Sequence, residues 1–195
     1  MSRMLLGCSS LEELNIFNFK TDNVTHMSDM LCGCWSLKDL NLSNFNTCNV
    51  KYMSKKFCYC SSLKKLNLSN FNTSNAADMS DIILGCSSLE ELNIANIYTD
   101  SVTDMRNMFS YCSSLKTLNL SGFDTVNVID LSKMFFECSS LGELTISNFK
   151  TDNVTEMREM FYWCSSLKKL NLSGFDTVNV TDLSKMFLSA HHWKN

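Results

Sequence analysis

Apolar residues along this chain recur with a period of 26 residues, far longer than the repeat of a helix or a strand. If each unit is numbered from its leading cysteine, positions 4, 7, 9, 12, 17, 20, 23 and 24 are apolar, and most of the residues between them are polar. Units begin at Cys8, Cys34, Cys60, Cys86, Cys112, Cys138 and Cys164, with partial units at 1–7 and 190–195. A unit this short cannot close a core alone. The period therefore predicts a single solenoid over 1–195, each coil burying its apolar side against its neighbours.

The two halves of a unit carry different local patterns. Leu66-Asn67-Leu68 alternates inward, outward, inward, the period of a short strand. The same step returns at Leu14–Ile16, Leu40–Leu42, Leu92–Ile94, Leu118–Leu120, Leu144–Ile146 and Leu170–Leu172, which predicts a parallel sheet. In the second half, Val102, Met105, Met108 and Phe109 fall at i, i+3, i+6 and i+7, a helical face. Asn179 with Asp182, and Thr103, Thr155 and Thr181, suit a helix start. Asp104, Asp130 and Glu156 add first-turn negative charge. So short a stretch fits a 3₁₀ segment as well as an α-turn. The expected fold class is an α/β solenoid, with short parallel strands on one face and short helical or 3₁₀ segments on the other.

Composition narrows the chemistry. A net charge of −3 supplies no polycation for nucleic acid. No apolar run approaches the ~20 residues that cross a bilayer, so membrane insertion is not expected. Residues 1–7 match the end of a unit and do not look like a signal peptide, so the chain is expected either to be a fragment of a longer array or to lack an N-terminal cap. Seven of the ten cysteines occupy one repeated position, which predicts a column of reduced, buried thiols. Cys32 with Cys34 and Cys58 with Cys60 leave a zinc site as the lesser alternative. The redox state of Cys32, Cys48 and Cys58 stays open. All twelve methionines lie at positions 20 or 23, and Phe19, Phe45, Phe71, Phe123, Phe149 and Phe175 form another column; both read as core.

These residues together resemble the BspA-type leucine-rich repeats of bacterial surface proteins and mycoplasma lipoproteins. The likeness rests on Leu115-Lys116-Thr117-Leu118-Asn119-Leu120-Ser121-Gly122-Phe123 and on the run from Val102 to Leu115, and it covers essentially the whole chain. It implies a leucine-rich-repeat array, a surface-displayed or secreted location, and adhesion to host or extracellular proteins. No signal peptide, lipobox or anchor accompanies it, which leaves a fragment or a cytoplasmic protein as the other expectation. The resemblance supplies no catalytic residue.

The candidate interaction face follows from the strands. Position 8 presents Asn15, Asn41, Asn67, Asn93, Asn119 and Asn171, and position 6 presents Glu13, Asp39, Lys65, Glu91, Glu143 and Lys169. The asparagine lane reads either as side-chain ladders bonding between copies or as a recognition face for a protein or glycan. Charges at positions 5 and 6 often change sign between neighbours, which avoids like-charge stacking. Tyr59, Tyr111, Phe136, Tyr162 and Trp163 gather near one turn, as interface anchors or as a cover for the turn. Lys56 stands in a core position, where it is expected to reach out to solvent. Ala76-Ala77 and Lys51 also break the pattern, Trp193 is expected to cap the last coil, and His191-His192 reads as an exposed tail. His26, His191 and His192 have no evident nucleophile and orienting acid. The expected function is a non-enzymatic protein-interaction module without metal or cofactor. The other reading is a scaffold that self-associates through its ends.

Overall fold

A computed structural model describes residues 1–95 and 97–190. Six short strands overlap six of the seven expected steps, each starting one residue earlier: β1 (Glu13–Leu14), β2 (Asp39–Leu40), β3 (Lys65–Asn67), β4 (Glu91–Asn93), β5 (Thr117–Asn119) and β6 (Glu143–Thr145); the seventh, at Leu170–Leu172, is reduced to a bridge between Glu143 and Lys169. They pair in parallel as β1–β2, β3–β4 and β5–β6, each residue opposite the one 26 positions on. The alternation of exposed and buried residues within the strands sends position 7 inward and positions 6 and 8 outward, as the pattern requires.

A second ladder runs along the opposite half of each unit. Parallel bridges join His26, Tyr52, Asp78, Asp104, Asp130, Glu156 and Asp182 in succession. The result is a strand-rich stack of repeats without a helix among the described residues. The expected helical segments are therefore corrected to turns.

The physical reason lies in where the backbone donors go. The N–H groups of Met105, Asn107, Phe109 and Tyr111 donate to the carbonyls of Asp130, Ser132, Met134 and Phe136 in the next coil. Only the intervening donors stay local, Met108 to Met105 and Ser110 to Asn107. An α-helix needs all of them internally. Positions 22 and 26 adopt left-handed backbone in coil after coil, for example Asn107 at φ 53° and Tyr111 at φ 60°. Such a residue costs roughly 1–2 kcal/mol when it is not glycine, a cost offset here by the inter-coil hydrogen bonds. Two tight turns thus reproduce the helical spacing of apolar side chains without a helix.

The core consists of columns. Cys34, Cys60, Cys86, Cys112, Cys138 and Cys164 are buried free thiols, whereas Cys8 at the first coil is partly exposed. Each buried thiol donates to the position-24 carbonyl 29 residues earlier, such as Cys138 to Phe109 at 3.0 Å. Burial pushes Cys86 and Cys164 up to about 12. Phe109, Phe135, Phe161 and Phe187 stack with centroids 5.5–5.6 Å apart. A thiol reagent is expected to reach Cys8 and Cys48 in the native protein, and all eight free thiols only after denaturation. Labelling of Cys112 or Cys138 in native protein, read by peptide mass mapping, would contradict the buried column.

A threonine column also ties the coils together. Thr21, Thr47, Thr73, Thr99, Thr125 and Thr151 are all buried, and each hydroxyl donates to the position-13 carbonyl of the next coil. Thr21, Thr47, Thr73 and Thr125 also accept the N–H of that same residue. A side chain here substitutes for strand pairing where the backbone turns.

Lys56 does not reach solvent. It is 0% exposed, with its amine 3.0 Å from the Met27 sulfur and over the rings of Phe45, Phe57 and Phe71. The route outward that a surface lysine would take is closed by the coils on either side. Ala76 is likewise fully buried. The expectations for Trp193 and for His191-His192 lie outside the described residues.

Candidate functional site

The twelve position-6 and position-8 candidates are all exposed and lie on the strand face. Their asparagines do not form ladders between coils. Each Oδ1 accepts the N–H two residues on: Asn15 from Phe17, Asn41 from Ser43, Asn67 from Ser69, Asn93 from Ala95, Asn119 from Ser121 and Asn171 from Ser173. This local turn ends the strand and fixes the amide plane. Among the described residues no protein group accepts from these six Nδ2 atoms. The face therefore carries a lane of unused donors, about 4.8 Å apart where neighbouring strands pair.

The asparagines that hold coils in register are others. At position 11, Asn44 donates to the Phe17 carbonyl, Asn70 to Ser43 and Asn148 to Phe123. At position 16, Asn49, Asn75, Asn127, Asn153 and Asn179 donate to a carbonyl of the preceding coil. Their recurrence was visible in the sequence, although nothing in residue type separates them from the position-8 set.

Charge on the face is partly neutralised. Glu12 pairs with Lys38 at 2.7 Å, and the candidates Lys65 and Glu91 pair with each other at 2.7 Å. Glu13 instead faces Asp39 in register, so like charges do stack at the first strand pair. Both are exposed, and water screens the repulsion.

Three depressions overlap along this lane. One is lined by Glu13, Asn15, Asp39 and Asn41, the next by Asp39, Asn67, Asn93 and Thr117, and the third by Asn93, Asn119, Ser121 and Phe123. Shared residues make them one shallow trough across the first five units. Its lining mixes these polar side chains with apolar ones such as Leu14, Leu40, Leu92 and Ala95.

Elsewhere the clusters have structural roles. Phe136 and Tyr162 stack at 4.7 Å, Tyr111 meets Phe136 edge-on, and Tyr59 lies across Gly85, where a Cβ would fall 2.4 Å from its ring. Tyr111, Phe136, Tyr162 and Trp163 contact one another in sequence, and Tyr59, Tyr111 and Trp163 keep about half their surface in solvent. Position 22 alternates in sign along Arg3, Asp29, Lys55 and Asp81 and again along Lys133, Glu159 and Lys185. Glu159 is buried, which alone would raise its carboxyl, but Lys133, Arg158 and Lys185 hold it below the usual range.

The four cysteines weighed for zinc do not converge. Cys32 and Cys58 form a disulfide, while the Cys34 and Cys60 thiols turn inward to the Leu5 and Leu31 carbonyls. Their separation of one period places Cys32 and Cys58 on adjacent coils, and the disulfide answers a redox question that the sequence left open.

A repeat family described as "Mycoplasma protein of unknown function, DUF285" matches residues 1–119 and 103–195. None of the curated proteins compared with the chain matches it.

Proposed function

Because the chain belongs to that DUF285 family, whose description carries no function, we propose a role drawn from the surface its repeats share. It is a non-enzymatic, leucine-rich-repeat-type solenoid that recognises a protein partner along the strand face. The observation that carries this reading is the trough, where asparagine donors left over from the fold repeat from coil to coil. Repeat stacks provide extended faces of this kind, and variation between copies at position 6 supplies specificity. The resemblance to surface adhesins adds extracellular proteins as the first class to screen.

Substituting Asn67 and Asn93 by Asp keeps the oxygen that caps the strand and removes the outward donor. In interferometry against immobilised extracellular-matrix proteins, a protein that binds the native chain is expected to lose about tenfold in affinity with Asn67→Asp/Asn93→Asp, near 1.4 kcal/mol. Reversal of Lys169 to Glu should alter the on-rate and its salt dependence. Binding indifferent to all three changes would remove the strand face as the site. Self-association is the second reading, favoured by the exposure of Val178, Leu183 and Leu188 on the last described coil. Sedimentation that shifts with concentration, and reverts with Leu183→Lys, would support it.

A further inference from the structure

Two departures from the repeat coincide in one turn. Position 23 is apolar in every other unit but is Lys56 here, and position 25 carries cysteine only at Cys32 and Cys58. Lys56 is sealed among Met27, Phe45, Phe57 and Phe71, and among the described residues no carboxylate pairs with its amine. Two residues further on, Cys58 is cross-linked to Cys32 on the adjoining coil. The cross-link spans the same coil pair that encloses the amine, since Met27 belongs to the Cys32 coil.

Hydration pulls a primary amine towards water. Three contacts resist it here. Leu31 donates to the Lys56 carbonyl at 2.9 Å, Gly33 donates to the Cys58 carbonyl at 2.8 Å, and the disulfide closes the edge. In a repeat stack each interface opens largely by itself, so losing one covalent tie weakens that site before the rest.

We infer that the Cys32–Cys58 disulfide is a redox latch over a concealed modification site, the Lys56 amine, which becomes available to amine-directed electrophiles when the bond is reduced. The reductant is a dithiol. One of its thiolates attacks the more accessible sulfur, that of Cys32, and Cys58 leaves as thiolate. The second thiol then closes on the mixed disulfide. The reagent ends as a cyclic disulfide, and two electrons and two protons pass to Cys32 and Cys58. The freed turn swings the amine out, where it attacks an acyl carbon, expels the leaving group and loses one proton to solvent.

The test is pulse acetylation with N-hydroxysuccinimidyl acetate on the full chain, with and without prior dithiothreitol, read by peptide mass spectrometry. Lys56 labelling should rise about thirtyfold or more on reduction, the lower end of what such a cross-link contributes. Lys64 and Lys116 should change little. A parallel iodoacetamide pulse on the reduced protein, after removal of the dithiol, should leave Cys112 and Cys138 unlabelled, which separates local opening from unfolding. Cys32→Ser/Cys58→Ser should label at the reduced rate with or without dithiol. Equal Lys56 labelling in both redox states overturns the latch, as does exposure of Lys56 together with Cys112 and Cys138.

Discussion

Replacing Lys56 with Met is expected to stabilise this protein more than any other single substitution considered. Methionine is the residue that most other units carry at this position, including Met30, Met108 and Met134, all buried. It fills a similar volume without an amine. The groups facing Lys56 are Met27, Phe45, Phe57 and Phe71, none of them ionisable, and burial pulls the amine down to about 7. Set against an ordinary value near 10.4, that displacement corresponds to roughly 5 kcal/mol.

The sign follows from proton uptake. As pH falls through about 10.4 the unfolded chain binds the proton, while the folded chain stays neutral until about 7. Wild-type stability therefore declines between those values on account of Lys56 and is insensitive to that residue below them. The buried thiols act oppositely, since unfolded cysteines ionise near 8.5 while the folded ones resist. Subtracting the wild-type curve from that of Lys56→Met cancels the thiols. Urea unfolding across pH 6–11 should give a gain of roughly 3–5 kcal/mol near pH 7 that vanishes above about pH 11. A gain independent of pH, or none, would mean that the amine is not held neutral inside the stack.

Strand positions were legible in the sequence because a period of two needs only apolar and polar residues in order, as at Leu66-Asn67-Leu68. The methionine half misled for a physical reason. Left-handed backbone at position 22 falls on Asp29, Asp81 and Asn107, types that favour it, but also on Arg3, Lys55, Lys133, Glu159 and Lys185, which give no hint of it and hide the recurrence. Glycine at Gly7, Gly33 and Gly85 was the legible trace of the same conformation at position 26. Two turns around a left-handed residue bring Met105 and Phe109 to the same side, so apolar spacing alone cannot distinguish them from a helix. The candidate face was legible as exposed, whereas the bonding of its asparagines was not. Position 8 caps its own strand, while positions 11 and 16 hold the register, and all three are written with the same amino acid. Lys56 shows the opposite failure, in which the rule for a lone lysine lost to packing by three phenylalanines.

Threonine at position 14 recurred in every unit without an evident task, and the task it performs makes Thr125→Val the most damaging small change to predict. The Thr125 hydroxyl donates to the Lys150 carbonyl at 2.9 Å and accepts the Lys150 N–H at 2.7 Å. Valine keeps the shape and the branched Cβ but leaves both backbone groups without a partner in a part-buried seam. Each orphaned group costs about 1–3 kcal/mol when fully buried, and these two are part-buried, so the expected loss is roughly 2–4 kcal/mol. Thr125→Ser retains both bonds and should lose only about 1 kcal/mol for the missing methyl. Because the coils are coupled in one dimension, the valine variant should unfold around units four to six while distant coils persist. Hydrogen exchange should accordingly quicken at Lys150, which loses its acceptor, and not at Asn46, where the Thr21 pair is intact. Equal stability of the valine and serine variants would show that the column works by packing and not by hydrogen bonding.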